Sequence, residues 1–254
     1  MKKVLSPSPF SKTSMAMQSF TMALVTILVA FCSIVYELLL AQCLAIVWGN
    51  TVVRYSLTIG LYLFSLGMGA LVFAYRGKEH SLSLFLQIEA ALTGLGILLP
   101  FIVLGADQAL RLGFLKLGVA HSSWLLWLPS WILMHSVILI IGLLSGAELP
   151  ILMDLARNDG GEKAAHRILG IDYLGTFLGA IAFPLFIYDR LGIVAGAALT
   201  GGLNAVAAFL VLRRFRAYAT VSRYCFFGGA CLLSLAFVLG EQELRHLLVE
   251  FLFG

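Results

Sequence analysis

Charged residues are scarce in this sequence, since Asp, Glu, Lys and Arg together make up 12% of its 254 residues. A water-soluble domain carries about a quarter of its residues as charges. Here 61% of the residues are hydrophobic and the mean hydropathy is +0.98. The shortage of charge excludes a chain surrounded by water, and we expect a lipid bilayer around it. The net charge of +4 is distributed between apolar runs, so nucleic acid is not an expected partner.

The motifs of common catalytic and metal sites are also missing. The four cysteines lie inside apolar runs and have no CxxC spacing, so no metal site is expected. The sequence has no HExxH, no nucleophile elbow and no strand followed by a glycine-rich nucleotide loop. We therefore expect no bound cofactor. Whether the chain is an enzyme is left open, with the non-enzyme interpretation favoured.

Long uncharged runs predict an all-α integral membrane protein. A helix needs about 20 apolar residues to cross a bilayer core, and seven runs meet this requirement. We place them at 18–48, 54–75, 82–106, 123–153, 168–188, 191–212 and 222–240. The predicted organisation is a cytoplasmic tail (1–17), a seven-helix membrane domain (18–240) and a short amphipathic segment (241–254). The stretch 154–167 has the polarity of a connecting loop.

The distribution of Lys and Arg predicts the orientation. With the N-terminus inside, twelve of these residues fall on the cytoplasmic side and five on the outer side. Basic residues concentrate on the cytoplasmic side of membrane proteins. We expect a multi-pass protein of the bacterial inner membrane with its N-terminus inside and its C-terminus outside.

Three short matches indicate an internal repeat. Ala90–Gly94 recurs as Ala197–Gly201, and a Gly-Ala pair at 69–70 recurs at 179–180. The Glu-Leu pairs that begin at Glu37 and Glu148 are separated by nearly the same length of sequence. A unit of three helices would place the second copy upside down relative to the first. We expect a 3+3 inverted repeat plus one helix, an architecture typical of transporters; the competing interpretation is a duplication kept only for packing.

Two acidic residues lie deep in predicted membrane helices. A carboxylate at the centre of a bilayer costs about 2.5–3.5 kcal/mol on insertion scales, so Glu37 and Glu148 should face the bundle interior. Gly146 and Pro150 flank Glu148 and favour a local break in its helix. The alternative for Glu37 is a structural ion pair with Arg54.

Other polar residues complete the candidate site. Asp172 and Tyr173 stand at the start of the fifth predicted helix, and Tyr36 precedes Glu37. The candidate substrate-binding set is Glu37, Glu148, Tyr36, Asp172 and Tyr173. We place Glu89, like Asp172, near the cytoplasmic interface, where water can solvate it.

These motifs resemble the membrane region of bacterial membrane-bound spermidine-synthase-like proteins. The resemblance covers the first six predicted helices and rests on Tyr36-Glu37, Gly146–Pro150, Asp172–Gly175, Phe183–Leu185, Arg190–Gly192 and Gly202–Asn204. It implies a link to polyamines. Members of that family usually carry a soluble aminopropyltransferase domain with a glycine-rich loop for decarboxylated S-adenosylmethionine, and we expect that domain to be absent here.

Two functional hypotheses follow from these observations. The first is a transporter-like module for a small cation or polyamine, with Glu37 and Glu148 as its binding groups. The second is a membrane anchor or assembly subunit that recruits a separate soluble enzyme or another membrane subunit. The paired acids and the repeat favour transport, whereas the expected missing domain favours a partner.

Overall fold

The computed structural model describes residues 9–75, 81–116 and 124–243, and this part of the chain is built from helices. Seven α-helices follow one another: α1 (Pro9–Trp48), α2 (Thr51–Tyr75), α3 (Ser81–Pro100), α4 (Ala106–Lys116), α5 (Trp124–Ala182), α6 (Gly192–Arg214) and α7 (Val221–Leu239). Wider π-helical turns at Phe101–Gly105 and Phe183–Leu191 extend α3 and α5. The all-α prediction is confirmed for the described residues.

Six stretches of the described chain are long and apolar enough to cross a membrane. They are Phe20–Trp48, Thr51–Phe73, Leu82–Phe114, Leu128–Asn158, Gly160–Arg214 and Val221–Leu239. The fifth stretch contains 55 residues, more than twice the roughly 20 residues that one crossing needs. The helical backbone of this stretch is interrupted at Gly192, which has φ of 70° and ψ of −168°.

The polar stretch 154–167 is helical rather than an open loop. α5 is broken at Gly161, where φ is 71° and ψ is −165°, a combination that glycine tolerates because it has no Cβ. This break divides α5 into a first arm (124–160) and a second arm (162–182). The predicted break at Gly146 and Pro150 is wrong, because the first arm continues through both residues. Membrane helices accommodate such a proline when neighbouring groups satisfy the freed backbone.

Glycines bring the first arm of α5 against α2. A Cβ built on Gly146 would lie 2.7 Å from the Cα of Leu66, and one on Gly69 would lie 2.9 Å from the carbonyl carbon of Leu143. Gly142 faces Tyr62 and Ser65 in the same interface. The two helices therefore approach at backbone distance, as small residues permit between membrane helices.

A second glycine interface joins the second arm of α5 to α1. A Cβ on Gly175 would lie 2.6 Å from the Ile27 carbonyl oxygen, and one on Gly179 would lie 2.8 Å from the Phe31 carbonyl oxygen. Residue numbers rise together along both helices, so α1 and the second arm run parallel. These two interfaces hold α1, α2 and both arms of α5 together.

The remaining helices pack around this group. α6 packs on α1, α3 and α7, and most of its small residues are buried. The Ser234 hydroxyl of α7 donates to the Ala198 carbonyl oxygen over 2.5 Å. α4 is a short helix that follows the third apolar run, and α1 begins inside the segment predicted as a tail. Within the predicted amphipathic segment, residues 244–254 lie outside the described chain.

Candidate functional site

A cavity of about 510 Å³ lies between α1, α2 and the two arms of α5. Its polar lining consists of Ser33, Glu37, Tyr62, Ser145, Glu148, Asp154, Arg157, Asp172 and Thr176. Aliphatic and aromatic side chains such as Val29, Leu66 and Phe73 form the rest of the wall. We call this space the carboxylate cavity, because four of its lining residues carry carboxyl groups.

The structure brings together three of the acids that the sequence singles out. Glu37 comes from α1, Glu148 from the first arm of α5 and Asp172 from the second arm. Glu37 is 5% exposed and Glu148 is 2% exposed. The prediction that both residues point into the bundle therefore agrees with their positions, and Asp172 joins them from a third direction.

An ion-pair cluster lies on the cavity wall near Gly161. Arg157 contacts the Asp154 carboxylate at 2.6 Å and the Glu162 carboxylate at 2.8 Å. Among the described residues, Arg157 is the only basic one that lines the cavity, and its charge is balanced by these two neighbours. The carboxyl groups of Glu37, Glu148 and Asp172 take no part in the ion pairs of the described chain. The cavity therefore has an excess of negative groups.

Tyr62 connects two walls of the cavity and is not among the residues that the sequence singles out. Its hydroxyl donates to the Ser33 carbonyl oxygen at 2.9 Å and lies 3.0 Å from the Ser33 hydroxyl. The buried hydroxyl of Ser145 lies close to Tyr62 and also lines the cavity. These hydroxyl groups supply neutral hydrogen-bonding positions between the acids.

The two predicted tyrosines lie outside the cavity lining. The Tyr36 hydroxyl donates to the Leu92 carbonyl oxygen at 3.1 Å, and its ring packs against Gly96. Tyr36 therefore fixes α1 against α3. Tyr173 is 68% exposed on the outside of the second arm. Neither position offers a group to the carboxylate cavity.

Arg54 does not form the predicted ion pair with Glu37. Its guanidinium carbon lies 4.8 Å from the ring centroid of Trp48, and the Trp48 ring stacks on His135 at 5.7 Å. Arg54 is held by the electrostatic attraction between a cation and an aromatic face. The alternative interpretation of Glu37, as the partner of Arg54 in a structural ion pair, is therefore wrong, since Arg54 contacts an indole ring and not a carboxylate.

The prediction that water solvates Glu89 is wrong. Glu89 is completely buried, and its carboxyl group interacts with that of Glu148. Its helical neighbours at i−4, i+3 and i+10, Phe85, Leu92 and Leu99, are also buried. That apolar face is the signal in the sequence, because a residue on it points inward however close it stands to a helix end.

No three His, Cys, Asp or Glu side chains of the described residues come together as a metal site requires. Carboxylates that are enclosed by apolar walls and lack a cation attract organic ammonium groups instead. The arrangement is thus suited to a small aliphatic cation.

The chain is similar to curated proteins that are named as polyamine aminopropyltransferases. It is 32% identical over 196 residues to polyamine aminopropyltransferase 1 of Streptomyces coelicolor, covering 76% of this chain and 34% of that protein. Over 179 residues it is 31% identical to the polyamine aminopropyltransferase of Leptospira interrogans, covering 70% and 32%. The match to the Mycobacterium tuberculosis polyamine aminopropyltransferase is 33% over 189 residues, covering 72% and 33%.

These relatives are enzymes by name. The chain spans about a third of the length of each of them. No family model matches the chain, and no solved structure matches it.

The relatives correct the functional hypotheses drawn from the sequence. The transporter-like module and the membrane anchor are both wrong, because the similar proteins are named for aminopropyl transfer to polyamines. The preference for a non-enzyme is wrong for the same reason. The expected link to polyamines agrees with their names.

Proposed function

We propose that this chain is the membrane-embedded part of a polyamine aminopropyltransferase-type enzyme and that the carboxylate cavity binds its amine. The observation that carries this proposal is the set of acids Glu37, Glu148 and Asp172, which share one largely apolar cavity and form no ion pair within the described chain. The names of the relatives supply the class of amine.

A polyamine complements both components of the cavity wall. Its ammonium groups donate charge-assisted hydrogen bonds to carboxylates, and its methylene chain can lie against Val29, Leu66 and Phe73. Binding sites for small molecules combine apolar walls with a few placed polar groups in this way. The hydroxyl groups of Tyr62 and Ser145 can accept from the remaining ammonium hydrogens.

The spacing of the acids favours a long cation over a short one. Gly175 packs at the level of Ile27 on the parallel helix α1. Asp172 precedes Gly175, so it lies at the level of Ile27 or closer to the N-terminal end of α1. Glu37 follows Ile27 by ten residues, which is about 15 Å along a helix that rises 1.5 Å per residue. An extended molecule with several ammonium groups can contact acids at different depths, whereas a monoamine contacts one.

Binding measurements on the full chain in lipid nanodiscs test this function. Spermidine should bind, and Glu37→Gln and Glu148→Gln should each weaken binding about tenfold to a hundredfold, because one charge-assisted hydrogen bond contributes about 1.5–3 kcal/mol. Glu243→Gln is the matched control, since Glu243 is exposed and does not line the cavity. Butylamine, which carries one charge, should bind more weakly than spermidine. Equal affinities for all three variants would reject the cavity as the amine site.

We infer further that the chain crosses the membrane seven times, with α1–α3 and the helices from 124 to 214 as inverted repeats. Two matched contacts support this. Gly69 packs on Leu143 and Gly146, and its counterpart in the second unit, Gly179, packs on Phe31 and Ile34. The partners in each pair are three residues apart. The two units can be aligned by superposing the Glu-Leu pair at Glu37 on the one at Glu148. In this alignment Gly69 falls within one position of Gly179, and Leu143 and Gly146 fall within one position of Phe31 and Ile34.

A second pair of contacts follows the same rule. Ser65 packs on Gly142, and Gly175 packs on Ala30. The same alignment places Ser65 within one position of Gly175. It places Gly142 at Phe31, which is next to Ala30 in the sequence. Contacts at the two interfaces of an inverted repeat are expected to correspond in this way, since the symmetry axis exchanges them.

Membrane topology is the direct test of the repeat. Glu162→Cys and Leu112→Cys, each in a background with Cys225 and Cys231 replaced by Ser, place one thiol at each exposed position. A membrane-impermeant maleimide should label the first only from the cytoplasmic side and the second only from the outside. Labelling of both from the same side would contradict the inverted repeat and the N-inside orientation. We place the chain in the bacterial inner membrane, with its N-terminus inside, on the basis of the uneven distribution of Lys and Arg between the two sides of the membrane.

A further inference from the structure

Two buried acids interact at the wall of the carboxylate cavity. Glu148 lines the cavity and is 2% exposed, whereas Glu89 on α3 is completely buried and does not line it. Their carboxyl groups interact with each other. Neither oxygen of Glu89, nor Oε1 of Glu148, receives a hydrogen bond from a donor of the described residues. We call Glu89 and Glu148 the acid pair.

The groups that face the acid pair supply no positive charge. Cys32 and Tyr36 approach from α1, Tyr62 from α2 and Asp172 from the second arm of α5. The sequence of α6 contains no acidic residue, and its only basic residues are Arg213 and Arg214 at its end. No ion pair of the described residues includes either member of the acid pair. An uncompensated double negative charge would therefore be buried here.

A shared proton removes this difficulty. An ionised carboxylate only accepts hydrogen bonds, so two carboxyl groups can bond to each other only when one of them carries a proton. Carboxyl groups that share one site hold a proton between them for this reason. The proton also lowers the cost of charge in a low-dielectric interior.

We propose that the acid pair holds one proton when no amine is bound, and that an ammonium group binding at Glu148 displaces it. This deepens the proposed function and rests on it. Before binding, the pair and its proton carry a single negative charge. After binding, the pair has lost one proton to the solvent and gained one ammonium charge, so the site still carries a single negative charge. The exchange lets a cation enter the bundle without changing the net charge buried there.

Calorimetry counts the displaced protons. Putrescine is titrated into the full chain in nanodiscs at neutral pH in two buffers that differ in ionisation enthalpy; alkylammonium groups keep their protons there, as the lysine side chain does. The wild-type chain should release close to one proton for each putrescine bound. Glu89→Gln should still bind putrescine but release measurably fewer protons, because Glu89 then no longer repels the ionised form of Glu148. Glu243→Gln should match the wild type in both quantities.

The outcomes separate the two proposals. Putrescine binding without proton release by the wild type, or an unchanged release by Glu89→Gln, would overturn the acid-pair inference and leave the amine site intact. Absence of binding by the folded wild-type chain would overturn both. If Glu89→Gln does not fold, infrared difference spectra of the wild type with isotopically labelled glutamate decide the question. Addition of putrescine should remove one protonated-carboxyl band, and a spectrum without that loss would refute the inference.

Discussion

Gly146→Ala should destabilise the protein by separating α2 from the first arm of α5. The added Cβ would lie 2.7 Å from the Cα and from the carbonyl carbon of Leu66. The Leu66 carbonyl oxygen would lie closer still. Two carbon atoms are in favourable contact at about 3.5 Å or more, so the helices have to move apart locally by at least about 0.8 Å. The obstructing atoms belong to the backbone, and no change of rotamer can relieve the overlap.

The expected cost follows from this displacement. A gap of about 0.5–1 Å removes about a quarter to a half of the dispersion energy of the atoms concerned, and overpacking of a well-packed core costs about 1–3 kcal/mol. For a chain of this size, about 1 kcal/mol corresponds to a change of about 2–4 °C in Tm. We therefore expect Gly146→Ala to lower the Tm in detergent by about 2–12 °C.

Gly67→Ala is the matched control for this experiment. Gly67 lies on α2 next to Leu66, but no atom of the described residues lies within 4 Å of a Cβ built there. Alanine is favoured over glycine inside a helix by about 0.5–1 kcal/mol, so the Tm should stay the same or rise. A Tm decrease of equal size in both variants would refute the close approach of α2 and α5.

Three further outcomes are expected. Tyr62→Phe should reduce the free energy of unfolding by about 1 kcal/mol, measured by thermal unfolding, because it removes the hydrogen bond to Ser33. A double-mutant cycle of Glu37→Gln and Arg54→Gln should give a coupling energy close to zero in the same assay, since Glu37 and Arg54 form no ion pair. A coupling energy above about 0.5 kcal/mol would show that the two side chains do interact. Trp48→Ala should couple to Arg54→Gln by about 0.5–1 kcal/mol.

The composition of the chain predicts its helical class. The cost of exposing charge to lipid predicts that Glu37 and Glu148 are buried, and both are. Nothing in the sequence shows that Asp172 lines the same cavity. The pairwise arrangement of the helices depends on which glycine meets which backbone, as Gly69 and Gly175 show. Such contacts leave only weak traces in a sequence, because glycine is common in all membrane helices.

Three predictions about Glu89, the Gly146–Pro150 segment and Arg54 are wrong for local physical reasons. Glu89 stands close to a helix end, which suggests solvation, but the apolar face it shares with Phe85 and Leu92 turns it inward. Gly146 and Pro150 suggest a broken helix, although the glycine serves contact with α2 and the helix tolerates the proline. Pairing Arg54 with a buried acid overlooks its aromatic neighbour, which attracts a cation without any carboxylate.

The central claim, that a polyamine occupies the carboxylate cavity, is tested most directly by protection of a single thiol. Thr176→Cys places a thiol on the cavity wall, and Leu239→Cys places one on α7 at a position that is 78% exposed. Both are made in a background with Cys225 and Cys231 replaced by Ser. Spermidine should slow methanethiosulfonate modification of the first variant and leave the second unchanged. Glu148→Gln should raise the spermidine concentration needed for this protection about tenfold to a hundredfold. Modification of the Thr176→Cys variant at the same rate with and without saturating spermidine would contradict the account.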